Sequence, residues 1–385
     1  MLVASFSFAL VSHVASFGPS GDVLVVDDDG GPGVDFAQIH EAVAAAADGD
    51  VVLVREGVYA AFVLAGKGLV ILRDGPGIAK VSTPIVGELL EGQRVVLRGL
   101  TCAGKTRLVN NQGLVWIEEC SFDHTLEILN SGKVVVARSH NDIAVKGPYG
   151  VLATSSDVLL QACTFRGGDG SDGVSLGFGV CTDGSIGGHG VYLAGGTLEV
   201  SGSALSGGDG GDGGGLKCGG GDGGHGAWIV NGALHHSTST FAAGGGGGST
   251  FGVAGGSGDA IHLDGSSALE VALVGLALET QSPVLQGTAV EVALDGPAGG
   301  LVFLVFGGGP AWIEAPALLH PALIAAPYTV IPLGPLDSAG SLDVAFPVGA
   351  LPPGLASLTV FGQGLLITPL GGLLPAGVSV VTVIP

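Results

Sequence analysis

The residues best suited to chemistry in this chain sit in aspartate-bearing glycine loops. Gly167-Gly-Asp-Gly-Ser-Asp-Gly-Val174 matches a nonapeptide pattern in which aspartates and backbone carbonyls hold calcium. Gly207-Gly-Asp-Gly-Gly-Asp-Gly213 follows it, with Gly214 where the pattern wants an apolar residue. Stacking of successive loops would offer Asp169, Asp172, Asp209, Asp212 and Asp222 as calcium ligands. Calcium rolls, however, carry such nonapeptides in tandem, because each ion lies between two turns. The other reading is a glycine-packed loop edge whose aspartates keep it soluble. Two cysteines occupy matching places in the same loops, in Cys181-x7-His189-Gly and Cys218-x6-His225-Gly. Parallel strands lie about 4.8 Å apart, inside the span a disulfide tolerates, so a Cys181–Cys218 bond is the favoured pairing. A Cys2His2 metal site with His189 and His225, or two free thiols, are the other possibilities.

These residues need a scaffold that returns to the same place at intervals, and the sequence supplies one. Short strands recur at Asp157-Val-Leu-Leu, Thr197-Leu-Glu-Val, Ala233-Leu-His-His and Ala268-Leu-Glu-Val, in steps of 40, 36 and 35 residues. Upstream the same unit is tighter, in Arg94-Val-Val-Leu, Leu114-Val-Trp-Ile and Lys133-Val-Val-Val. Insertion of a glycine-rich loop turns a unit of about 20 residues into one of nearly 40. Strands this short cannot bury a face alone, but stacked in register each coil covers the next. Leu100, Cys120, Ser139, Cys163, Ser203, Ser239 and Leu276 form one inner ladder of small or apolar side chains. Cys120 and Cys163 stand two coils apart on it, too far for a bond, and are expected as core thiols.

The N-terminal part begins with Asp35-Phe-Ala-Gln-Ile-His-Glu-Ala-Val, in which Phe36, Ile39 and Val43 share one helical face. A helix there would plug the open end of the stack. Phe36-x-x-Ile39-x-x-Ala42-Val43, followed by Gly49-Asp50-x-Val52-x-Val54-Arg55-x-Gly57-x-Tyr59, resembles the opening of the pectin-lyase-like right-handed parallel β-helix superfamily. The resemblance covers residues 24 to about 280. It speaks to fold more than to activity, since that fold also carries non-catalytic surface proteins. Gly188-His189-Gly190 is similar to a short motif of the polygalacturonases of this fold, but their N-x-D and R-x-K companions are missing. A calcium-assisted polysaccharide lyase would need a basic residue to take a proton. The central coils offer Arg138, Lys146, Arg166 and Lys217. Arg166 or Arg138 would be the base, with Arg166 nearest the aspartate loops.

Composition narrows the partners. Glycine makes up 73 of 385 residues, the formal net charge is −21, and 46% of residues are hydrophobic. That excludes a disordered chain and disfavours nucleic acid, whose phosphates such a surface repels. No apolar run is suited to a transmembrane span. The segment MLVASFSFALVSHVASF, residues 1–17, has the apolar core of a secretory signal. After about residue 285 proline rises, and strands such as Leu301-Val-Phe-Leu-Val-Phe and Val378-Ser-Val-Val-Thr-Val-Ile predict a small antiparallel sandwich.

The expected architecture is all-β: a right-handed parallel β-helix with an N-terminal capping helix, then an antiparallel β-sandwich. The expected divisions are 1–20 as a signal segment, 21–284 as the β-helix with glycine-rich insertions over about 166–260, and 285–385 as the sandwich. The expected function is that of a secreted or cell-surface, non-enzymatic protein for surface attachment or glycan contact. Its partner would be a polysaccharide or cell-surface component, and the alternative is the lyase.

Overall fold

A computed structural model describes residues 21–141, 148–177, 180–272, 277–313, 321–324, 326–351, 355–367 and 373–385. The expected signal segment, Lys146 and Leu276 lie outside them. The described chain is mostly β, with one short α-helix, Ile39–Ala45.

Over the first two thirds the chain comes back repeatedly to three series of parallel strands. The first series contains Val51–Val54, Val70–Arg73, Arg94–Arg98, Leu114–Glu118 and Lys133–Ala137. The second contains Phe62–Ala65, Pro84–Gly87, Thr106–Val109 and Leu126–Leu129. The third contains Gly57–Tyr59, Ala79–Val81, Leu100–Cys102 and Ser121–Phe122. Two long strands, Tyr149–Gln161 and His189–Ser201, serve the first and second series at once. They join these series into one curled sheet, while the third forms a separate parallel sheet. Asp157, Thr197, Ala233 and Ala268 share one register, matching the steps read from the sequence.

The curl is made by single residues in the left-handed region. Between the second and first series these are Gly66, Glu88, Asn110, Asn130, Ser155, Gly195, Asn231 and Gly265. Between the first and third they are Gly99, Glu119, Arg138, Ala162, Gly202 and Thr238. Glycine and asparagine adopt this conformation readily, and the recurrence of the corner holds the less suited residues in it. Inside, side chains of successive repeats form one continuous apolar core. The serines of the inner ladder add hydrogen bonds: Ser139 Oγ accepts the Cys120 N–H at 3.1 Å, and Ser203 Oγ accepts that of Cys163 at 3.0 Å. Cys102, Cys120 and Cys163 are free and buried. Burial pushes the thiols of Cys102 and Cys163 up to about 12, so they act as apolar fillers.

The helix covers the first repeat, with Ile39, Ala42 and Val43 buried in the common core. Glu41 accepts the Gln38 N–H at its start. Lys67 Nζ donates to the carbonyls of Val43, Ala44 and Ala46 at its end, where a cation is favoured.

The remaining strands pair mostly antiparallel. Ala277–Thr280, Ala289–Asp295 and Ser341–Pro347 form one sheet. Leu301–Gly307, Tyr328–Pro335, Leu358–Ile367 and Leu373–Ile384 form another, edged by Val284–Leu285. Leu278, Val292, Leu304 and Leu366 come from both sheets and share one core. The antiparallel pairing thus begins near residue 277, ahead of 285. Apolar residues on the outside of the first parallel series, among them Val51, Leu72, Val96, Trp116 and Leu159, share a core with Val305, Phe361, Val378 and Val380. The C-terminal strands therefore lie along the flank of the parallel stack.

Candidate functional site

Three glycine-rich insertions leave the parallel stack on one side, and each runs out and back. Their six segments, about 167–174, 182–189, 207–214, 219–226, 244–249 and 253–259, are joined to one another by backbone hydrogen bonds repeating every three residues. Gly170 and Gly173 donate to Asp209 and Asp212, and Gly210 and Gly213 donate to Gly245 and Gly248. Between outgoing and return segments Gly208 and Gly211 donate to Gly188 and Ser185, and Gly221 and Gly224 donate to Gly211 and Gly208. A period of three fits extended left-handed chains of the polyproline II type, which have three residues per turn and no internal hydrogen bonds. Two residues of each turn face neighbouring segments, so both must be small. A Cβ on Gly184 would stand 1.8 Å from the Gly211 carbonyl oxygen, and one on Gly224 1.7 Å from that of Gly188. The third residue faces outward and is free to vary. The result is a two-layered glycine plate.

This outward position holds the expected calcium ligands, and it gives them another task. Asp169 Oδ1 accepts the Asp209 N–H at 2.8 Å, and Asp209 Oδ1 in turn accepts that of Gly245 at 2.7 Å. Asp172 and Asp212 make the same pair of bonds one turn further out, to the N–H groups of Asp212 and Gly248. Asp222 accepts the Gly256 N–H at 2.7 Å. Each carboxylate thus satisfies the one backbone donor per turn that the glycine lattice leaves over. Among the described residues no three of these carboxylates come within 4.8 Å of one another.

Arg166 and Arg138, the residues considered as a proton-abstracting base, are both engaged. Arg166 Nη2 donates to Asp169 at 2.5 Å and to Asp209 at 3.3 Å. The Asp169 carboxylate raises the Arg166 pKa, the opposite of what a base requires. Arg138 lies on the other flank of the stack, under the C-terminal strands. It is paired with Glu118 and donates to the carbonyl of Val378 and the hydroxyl of Ser379. The two arginines therefore do not meet at one site.

At the distal end of the plate, Cys181 and Cys218 are joined by a disulfide with a Cα–Cα distance of 6.0 Å. The bond removes the thiolates from any Cys2His2 site. His189 and His225 also stand at the opposite end of their segments, next to the parallel strands. Around the disulfide the rim exposes apolar side chains: Val174, Leu176, Val180, Leu216, Phe251 at 76% and Val253 at 83%.

At the foot of the plate lies a cluster that sequence reasoning missed. His189, His225 and His262 stack ring on ring, with centroids 5.0 and 4.4 Å apart. Trp228 meets all three edge-on and also meets Tyr192, whose ring lies 5.4 Å from that of Tyr149. His189 Nδ1 accepts the His225 N–H at 2.9 Å, and His225 Nδ1 accepts that of Asp259 at 2.8 Å. These two histidines extend the rule followed by the aspartates, with a ring nitrogen as acceptor. Acceptance at Nδ1 requires the neutral tautomer, and burial favours it, pushing His189 down to about 4 and lowering His225. His262 Nδ1 is 2.7 Å from Asp259 Oδ2, and Asp264 accepts the Trp228 indole N–H at 2.9 Å.

The available signal for this cluster was the repeat itself. The observed register sets Ala227 against Ile261 and Trp228 against His262, so Asp259 falls opposite His225.

No protein-family model matches the chain, and no curated protein matches it. A solved structure with a local likeness is the superoxide reductase (neelaredoxin) from Ignicoccus hospitalis. It shares 12% identity over 28% of this chain and 80% of its own, with a TM-score of 0.17. A likeness that low carries no argument about fold or activity.

Proposed function

We propose that this chain is a non-enzymatic protein of the cell exterior, built as a right-handed parallel β-helix, that attaches to a cell-surface component or polysaccharide through its glycine plate. The β-helix reading is supported by the three parallel series, the shared register and the recurrent left-handed corners. The pectin-lyase-like resemblance is compatible with that arrangement and adds no activity of its own. Exterior location is supported by the disulfide, which persists in oxidising compartments.

The observation that carries the binding reading is the rim. Six large apolar residues stand exposed around the disulfide, where a rigid lattice holds them away from the body. Exposed apolar groups gathered in this way mark interaction surfaces. A lattice already hydrogen-bonded throughout loses little further entropy when it docks, which favours affinity. The lyase alternative has no comparable support, because both candidate bases are tied to carboxylates.

A variant carrying Leu216→Ser, Phe251→Ser and Val253→Ser tests this. It should keep the fold and the Cys181–Cys218 bond but lose retention on the polysaccharides or cell envelopes that hold the wild type. Undiminished retention would exclude the rim as the contact.

A further inference from the structure

We propose that His225, Asp259 and His262 form a binding site for a divalent first-row transition ion such as Zn2+. Ligand-type atoms of the three residues lie within 4.8 Å of one another, the one such group of three among the described residues. Asp259 Oδ2 stands 2.7 Å from His262 Nδ1 and 3.6 Å from His225 Nδ1. Bonds to zinc of about 2.0–2.2 Å from imidazole nitrogen and carboxylate oxygen would be met by side-chain adjustments of about an ångström. Two imidazoles with one carboxylate suit zinc, copper or nickel, and they do not suit calcium, which takes oxygen ligands.

The surroundings support the site independently of the ligands. The far nitrogen of His262, Nε2, is 3.5 Å from Asp264 Oδ1, and Asp264 is itself held by the Trp228 indole N–H. A carboxylate on the second ring nitrogen is the usual outer partner of a metal-bound histidine, since it fixes the tautomer that directs a lone pair at the ion. The stacked rings of His225 and His262 already hold two ligands in parallel on adjacent repeats. Binding would transfer the His225 Nδ1 lone pair from the Asp259 N–H to the ion. That N–H lies on an exposed residue, where water can take it over. Water would complete the coordination. The ion would tie the last two return segments of the plate together at their foot, as the disulfide ties the first two loops at their tip.

Calorimetric titration of chelator-stripped full-length protein with Zn2+ tests the assignment. The expected result is one saturable equivalent, weakened about tenfold or more by His262→Gln and by Asp259→Asn. It should be unchanged by Asp172→Asn in the outer plate. Asp259→Asn keeps the backbone N–H that His225 accepts, so a loss there is not a loss of that contact. Asp264→Asn should weaken binding less than the ligand variants do. Co2+ substitution should give visible absorption in the wild type that His262→Gln abolishes. Absence of an equimolar zinc site, or titrations unchanged in both ligand variants, would overturn the proposal.

Discussion

Replacing Gly224 by alanine would set a Cβ 1.7 Å from a backbone oxygen, whereas at Gly245 the nearest atom is Asp209 Oδ1, 3.4 Å away. Gly224 faces a neighbouring segment and Gly245 occupies the outward position. Gly224→Ala should therefore cost about 2–3 kcal/mol, and Gly245→Ala should stay within about 0.5 kcal/mol. Chemical denaturation of the two variants checks the contrast, and equal losses would refute the lattice. Acid should act on the same rule through Asp169. Its carboxyl is held below the usual range, first by the Arg166 guanidinium and then by the Asp209 N–H. A depressed folded pKa means the contribution is present above the ordinary carboxylate pKa and lost as pH falls through the folded value. Protection of the Asp209 amide, taken relative to its intrinsic exchange rate at each pH, should fall in that acid window, and Asp169→Asn should remove most of that fall.

At the scale of the elements, the distal end of the plate depends on Cys181–Cys218, which spans 37 residues of sequence. Cys218→Ser should lower stability by about 2–4 kcal/mol and raise exchange near the rim while leaving the parallel strands protected. Non-reducing peptide mapping should recover the linked pair, and free thiols at both positions would contradict the structure. The sequence made the strand spacing legible because glycine-bounded apolar runs recur at a fixed register, as Asp157, Thr197, Ala233 and Ala268 demonstrate. The plate was only half legible. Its glycines were visible as loops, but the three-residue bonding period joins segments from three separate insertions. The task of Asp169 or Asp222 appears only once its neighbour's N–H is located. The histidine cluster was obscured because His262 pairs in register with Trp228 and not with His225, so the ring stack does not follow the strand register.

For the whole molecule, what joins the two parts is a buried polar network in an otherwise apolar contact. Glu118 is fully buried, pairs with Arg98 and Arg138, and accepts the Trp116 indole N–H, the Ser379 hydroxyl and the Val380 N–H. Gln161 accepts the Val378 N–H beside it. Glu118→Ala would leave Arg98 and Arg138 with Glu119 as their remaining carboxylate and strip the buried Trp116 and Val380 donors of their acceptor, at a cost of about 1–3 kcal/mol. Exchange should rise at Val378–Val380 before the parallel core is affected, and unchanged protection there would show that the apolar contact alone holds the flank. This covering of the flank was beyond the sequence, because Val96 and Trp116 read as core residues whichever side buries them. It leaves the glycine plate projecting as the proposed contact surface. We propose that this surface binds without turnover. The most direct test incubates the protein, with and without calcium, with a panel of polysaccharides and follows protein retention and released oligosaccharides by mass spectrometry in the same tubes. Calcium-independent retention with no products is the expected result, while unsaturated oligosaccharides accumulating with time would contradict a non-enzymatic contact surface.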